Sequence, residues 1–260
     1  MNQSSKLSQL ENIYYIMKNN NLDKINKDGF QYDNQLLQKK DDRYCQAIFS
    51  IIPKQNSHFT KEFDTLFELL SGENVGIVYK VNNDNYKSAG TFHFTFLQQL
   101  SFANFEELPE NILAKHYDIL KSILKLPFKI MYNKVIAVPS GLVLCGEADI
   151  DINKMRNDYR QKCKENNLVI IEPYLNNIVH STLFRFVNKV NTTEFLKKYE
   201  YYLGKDIDYG YVIIDHFHIG KGTWKLNPNE IVINYSIRNY SIRNYSIRNY
   251  SIRNDLICDG

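Results

Sequence analysis

The sequence predicts an α+β fold, with a sheet covered by helices on its outside and built from two similar lobes. Two observations lead there. Apolar periodicities alternate between period 2 and period 3.6 in the order strand, helix, strands, helix, strands, helix, strands. One short strand pattern, His-x-Thr among apolar neighbours, also recurs in both halves of the chain, at Phe92-His93-Phe94-Thr95-Phe96 and at Val179-His180-Ser181-Thr182-Leu183-Phe184-Arg185.

The 260 residues, 43% hydrophobic and 23% charged, suffice for a real core. A net charge of +3 is too weak to argue for a duplex-binding surface, though it suits a small anionic ligand. Cys45, Cys145, Cys163 and Cys258 show no C-x-x-C spacing, and Met1 to Lys6 is polar. Reduced thiols in a cytoplasmic setting are therefore expected. No run of about 18 apolar residues exists, so no membrane segment is expected.

Residues 1–40 read as a polar extension with one amphipathic helix, Leu7, Leu10, Ile13, Tyr14 and Met17 recurring at helical spacing, followed by a flexible lead-in. Tyr44 to Ile52, stopped by Pro53, is a buried strand. Phe59, Phe63, Leu66, Phe67 and Leu70 mark the stripe of a helix that Ser57 or Thr60 caps and Gly72 ends. Val75 to Val81 and Thr91 to Leu97 are strands. A helix follows Pro109, with His116 on its stripe as a partly buried surface histidine. Phe128 to Val138 and Leu142 to Gly146 form a hairpin around Pro139-Ser140-Gly141. Asp149 to Asn167 is a helix with Ile152, Met155, Tyr159 and Cys163 inward and its basic residues outward. After the second His-x-Thr strand come a helix (Thr192 to Leu203), a strand (Tyr211 to Ile219), a Gly220-Lys221-Gly222 turn, and a closing strand near Trp224 or Ile231.

Residues 41–233 thus form the expected domain. Residues 234–260 are set apart by four exact copies of Asn-Tyr-Ser-Ile-Arg, whose five-residue period matches no solenoid and points to a flexible, dispensable tail. The functional alternative is that Arg238, Arg243, Arg248 and Arg253, interleaved with tyrosines, make an arm for single-stranded nucleic acid.

Opening or cleaving a phosphodiester needs a base for the attacking oxygen and an acid for the leaving oxygen. Histidine serves both because its ordinary pKa is about 6.5. Thr95 and Thr182 each lie two positions on, hence on the same strand face, where a hydroxyl can donate to a nonbridging oxygen. Strand alternation turns Arg185 away from His180 unless the strand bends, which makes it a supporting residue. His58-Phe59-Thr60 also matches the pattern, but at the mouth of a helix. His216 and His218 share a strand face while Asp215 points opposite, leaving two metal ligands where a site needs three or more. Tyr174 and Trp224 are candidates for stacking on a base.

From about Tyr44 to Ile233 the chain resembles the two-histidine phosphoesterase superfamily, which includes RNA 2',3'-cyclic phosphodiesterases once named 2'-5' RNA ligases. His180-Ser181-Thr182-Leu183-Phe184-Arg185 meets its His-x-Thr-Leu-x-Arg motif at every fixed position, and His93-Phe94-Thr95-Phe96-Leu97 meets the first motif. The stretch from Pro173 to Asn177 is longer than the family's usual approach to the second motif. The resemblance implies a bilobal, pseudo-twofold fold with antiparallel sheets lining a central cleft. It implies His93 and His180 as catalytic acid and base, in either order, and no metal; Thr95, Thr182, Arg185 and Tyr174 are the residues expected to bind substrate, and no cofactor is expected. The expected partner is RNA or a small nucleotide, acted on by a monomer. Cleavage of a cyclic dinucleotide or 2'-5' oligoadenylate signal is the enzymatic alternative, and a non-catalytic nucleotide-binding module the other.

Overall fold

A computed structural model describes residues 3–38, 43–81, 90–100, 107–172, 175–226 and 231–238. In chain order the elements are α1 (Gln3–Asp28), β1 (Cys45–Ile51), β2 (Ser57–Phe59), α2 (Lys61–Ser71), β3 (Gly76–Lys80), β4 (Gly90–Thr91) and β5 (His93–Leu100). Then follow α3 (Glu110–Ile123), β6 (Phe128–Val138), β7 (Gly141–Ala148), α4 (Ile152–Glu165), β8 (Val179–Phe186), α5 (Thr192–Lys198), β9 (Gly210–Ile214), β10 (His216–Gly222) and β11 (Val232–Arg238).

The fold is α+β with two sheets. One has four strands in the order β11-β10-β1-β5; the other has seven, in the order β2-β9-β6-β7-β8-β3-β4. Among the described strands every strand-to-strand pairing is antiparallel except β3 with β4. The two His-x-Thr strands fall in different sheets, β5 at the edge of the smaller and β8 inside the larger. Phe94, Phe96 and Phe217 of the smaller sheet and Phe128 of the larger pack in the core with ring centroids 5.5 to 6.3 Å apart. Aromatic rings fill such a core well because each buries a large apolar area on few rotatable bonds.

Several elements differ from what periodicity suggests. The expected strand Tyr211 to Ile219 is two strands in different sheets, with the break at Asp215: β9 pairs with β6, and β10 pairs with β1. Gly220, Lys221 and Gly222 form no turn. They continue β10, where a Cβ on Gly222 would stand 2.4 Å from Leu226, so glycine there makes room for the loop folded over the strand. The closing strand is β11, and Trp224 sits in a turn before it.

The described segments on either side of the expected domain join it more fully than their polarity suggests. The helix continues past Met17 to Asp28, with Tyr14 and Ile25 buried, so that stretch is no flexible lead-in. Asn234 to Arg238, the first copy of the repeat, makes up most of β11, so the expected boundary before Asn234 falls inside a strand. Tyr235 stacks on Tyr117 of α3 at 4.9 Å. Copies beyond Arg238 lie outside the described residues. No described helix is long and apolar enough to cross a membrane.

Candidate active site

His93, Thr95, His180, Thr182 and Arg185 line one cleft between the two sheets, together with Trp224, Gln98, Glu172 and Asn176. Strand alternation accounts for the first four. Phe94, the middle residue of the first motif, points into the core and is fully buried. Ser181, the middle residue of the second, is also buried, its hydroxyl 2.6 Å from that of Tyr132. The histidine and threonine on either side therefore face the cleft.

Arg185 joins them through a bulge. Val143 of β7 pairs with Thr182, but the next residue, Leu142, pairs with Phe184, so Leu183 is an extra residue in β8. One extra residue reverses the alternation and returns Arg185 to the face of His180 and Thr182. The expectation of a supporting arginine turned away from the cleft is corrected by this register shift. Its guanidinium carbon lies 4.5 Å from the Trp224 ring centre, and Nη1 donates to Ser140 Oγ at 2.9 Å. Gly141 lets the Ser140 turn come this close, since a Cβ there would meet the Phe184 carbonyl at 2.0 Å. Nε of Arg185 is buried with no hydrogen-bond partner.

The two imidazoles are held differently. Nδ1 of His93 lies 2.7 Å from the Thr91 carbonyl, which can only accept, so Nδ1 carries the proton and Nε2 of the neutral ring is a free lone pair. Burial, with the Arg185 cation adding to it, pushes the His93 pKa down to about 4 against the opposing pull of the Thr91 carbonyl. Burial, then Arg156, His93 and Arg185, push His180 down to about 3. Nδ1 of His180 is buried and unpartnered. Both rings are thus neutral near pH 7, and a phosphate anion in the cleft would raise the proton affinity of each.

Arg156 belongs to this assembly although its residue type gives no sign of it. Expected among the outward basic residues of α4, it is instead fully buried beneath the cleft. The signal for it is positional: it lies four residues after Ile152 and three before Tyr159, on the apolar stripe itself. Of the other sequence candidates Trp224 lines the cleft, while His58 and His116 lie apart. Tyr174 falls outside the described residues. His58 is exposed on β2 and stacks on Tyr211 at 4.6 Å, while Thr60 caps α2. His116 is fully buried against Tyr159, with Nδ1 2.7 Å from its hydroxyl, and is no surface histidine.

The break at Asp215 brings that carboxylate to His216, 2.6 Å from Nδ1, instead of turning it away. His218 Nδ1 meets Ser236 Oγ at 2.8 Å. Among the described residues no three His, Cys, Asp or Glu side chains are grouped to hold a metal ion. Cys45, Cys145 and Cys163 are buried free thiols.

No family model matches the sequence, and no curated protein matches it. Solved structures similar to the chain include TT0787 of Thermus thermophilus, 12% identical, over 75% of this chain and 97% of that one with a TM-score of 0.46. A protein described as a phosphoesterase is 10% identical over 73% of this chain and 94% of its own, with a TM-score of 0.44. LigT of E. coli in its apo form is 9% identical over 75% of this chain and 97% of its own, with a TM-score of 0.43.

Proposed function

We propose that the protein is a metal-independent phosphodiesterase that acts on a 2',3'-cyclic phosphate or a 2'-5' linkage of RNA or a small nucleotide. The observation that carries this reading is the convergence of His93, Thr95, His180, Thr182 and Arg185, from strands of two different sheets, on one cleft. The match of both motifs to the two-histidine phosphoesterase pattern supports it further.

In the proposed reaction one imidazole takes a proton from water as its oxygen bonds to phosphorus. The P–O bond to the ribose oxygen breaks, and the other ring, as imidazolium, gives that oxygen its proton. The proton gained by the first ring balances the one lost by the second. Thr95 and Thr182 hydroxyls and the unpartnered Nε of Arg185 donate to the nonbridging oxygens, whose charge grows in the transition state. Trp224 and Ser140 hold the guanidinium in place.

The test incubates the protein, with EDTA present, with a 2',3'-cyclic mononucleotide, a cyclic-phosphate-ended RNA, 2'-5' oligoadenylate and cyclic dinucleotides. Turnover of one of the first three is expected. Turnover of cyclic dinucleotides alone would reassign the substrate, and binding without turnover in every arm would leave a nucleotide-binding module.

A further inference from the structure

The two histidines stand on strands of different sheets, so no backbone ladder between β5 and β8 sets their separation. Something else must span the seam, because acid and base in line with each other lose efficiency when displaced by as little as an ångström. Arg156, from α4, does span it. Nε donates to the Phe96 carbonyl at 2.7 Å and Nη2 to the Thr95 carbonyl at 3.2 Å, both on β5. Nη1 donates to the Ile178 carbonyl, one residue ahead of β8, at 2.8 Å, and to Asn153 Oδ1 at 3.1 Å. Asn176 completes the set: with its amide oxygen toward Arg156 it accepts from Nη2 at 3.2 Å and donates to Ile178 at 3.3 Å. All five guanidinium N–H groups then have acceptors, an arrangement that a lysine, with three donors on one atom, cannot reproduce.

We propose that Arg156 is a positioning residue that fixes the spacing of His93 and His180 across the seam between the sheets. It acts by tying the carbonyl of Thr95 to the chain two residues ahead of His180. It does not touch the substrate, since the backbone of β5 stands between. Its charge has a second effect: with His93 and Arg185 it opposes protonation of His180, which sharpens that ring as a proton donor once substrate has charged it. This inference rests on the phosphodiesterase reading.

The experiment compares Arg156→Lys, Arg156→Met and Asn153→Ala with wild type, on the substrate the wild type turns over, and repeats Arg156→Lys in a His180→Ala background. Asn153 is partly exposed on α4, so its truncation loosens Arg156 without opening a hole in the core. Arg156→Lys is expected to lower kcat roughly 10- to 100-fold with KM changed less than about threefold, and Asn153→Ala to lower kcat by about threefold. In the His180→Ala background Arg156→Lys is expected to cost less than about threefold, because its effect passes through that imidazole. Histidine titration by 15N NMR is expected to show His180 protonating at higher pH in Arg156→Met than in wild type, with Arg156→Lys between.

Equal losses in both backgrounds, or a loss carried by KM, would overturn the proposal. So would an unchanged kcat in Asn153→Ala, the variant that decides if the Arg156 substitutions do not fold. Absence of wild-type turnover on every substrate would defeat the phosphodiesterase reading instead. The titration then judges Arg156 alone, and an unmoved His180 in Arg156→Met would overturn it.

Discussion

Arg185 and Thr182 share one face of β8 although they stand three positions apart, because Leu183 is the extra residue of a bulge against β7. An odd spacing would otherwise put them on opposite faces. The bulge is what turns a motif of three spaced residues, His180, Thr182 and Arg185, into three groups on one surface.

Arg185 is expected to be intolerant of lysine. Lysine has no counterpart to Nε and cannot lie flat on Trp224, so Arg185→Lys should lower kcat/KM by roughly 10- to 100-fold. Trp224→Leu should give a smaller loss of about three- to tenfold, since the guanidinium keeps Ser140. Steady-state kinetics on the turned-over substrate checks both. Equal activity of Arg185→Lys and wild type would remove Arg185 from the site.

The depressed histidines make a statement about acid stability. His116, pushed down to about 4 by burial, takes up its proton in the unfolded chain near pH 6.5 and in the folded one only near pH 4. Its folded form is therefore fully favoured above about pH 6.5, and that stability is lost as pH falls from there toward 4. His93, His180 and His218 act in the same direction. Urea midpoints should fall between pH 7 and pH 5. His116→Gln should flatten that dependence by about 1.4 kcal/mol per pH unit, one proton's worth. A pH-independent midpoint over that range would contradict the burial of these rings.

Truncation separates the first repeat from those after it. Ending the chain before Val232 strips β11 from β10 and uncovers Phe217 and Ile219, whereas ending it after Arg238 keeps the strand. The shorter chain should melt about 5 to 10 °C below the longer one, as a loss of ~2 to 3 kcal/mol implies for a domain of this size. Equal melting temperatures would mean that β11 adds nothing to the sheet.

Much of the fold is legible because side-chain periodicity reports burial directly. The stripe Phe63, Leu66 and Leu70 of α2 and the alternation around His93 and His180 need no tertiary information. What escapes depends on partners that a local pattern does not contain. The bulge at Leu183 is a property of the pairing with β7, invisible in β8 alone. The stretch from Tyr211 to Ile219 reads as one strand because Asp215, where the chain crosses between sheets, interrupts the apolar alternation by a single residue. Residue type assigns Arg156 to solvent, although its place on the α4 stripe puts it inside, where backbone carbonyls satisfy it.

The most direct test of the central claim is the rate of His93→Ala, His180→Ala and the double variant in EDTA, on the best substrate of the panel. Each single variant is expected to lose about 10² to 10⁴ of the wild-type kcat, and the double variant little more than the worse single, since one ring cannot complete the proton transfer alone. Near wild-type turnover in either single variant would contradict the two-histidine account.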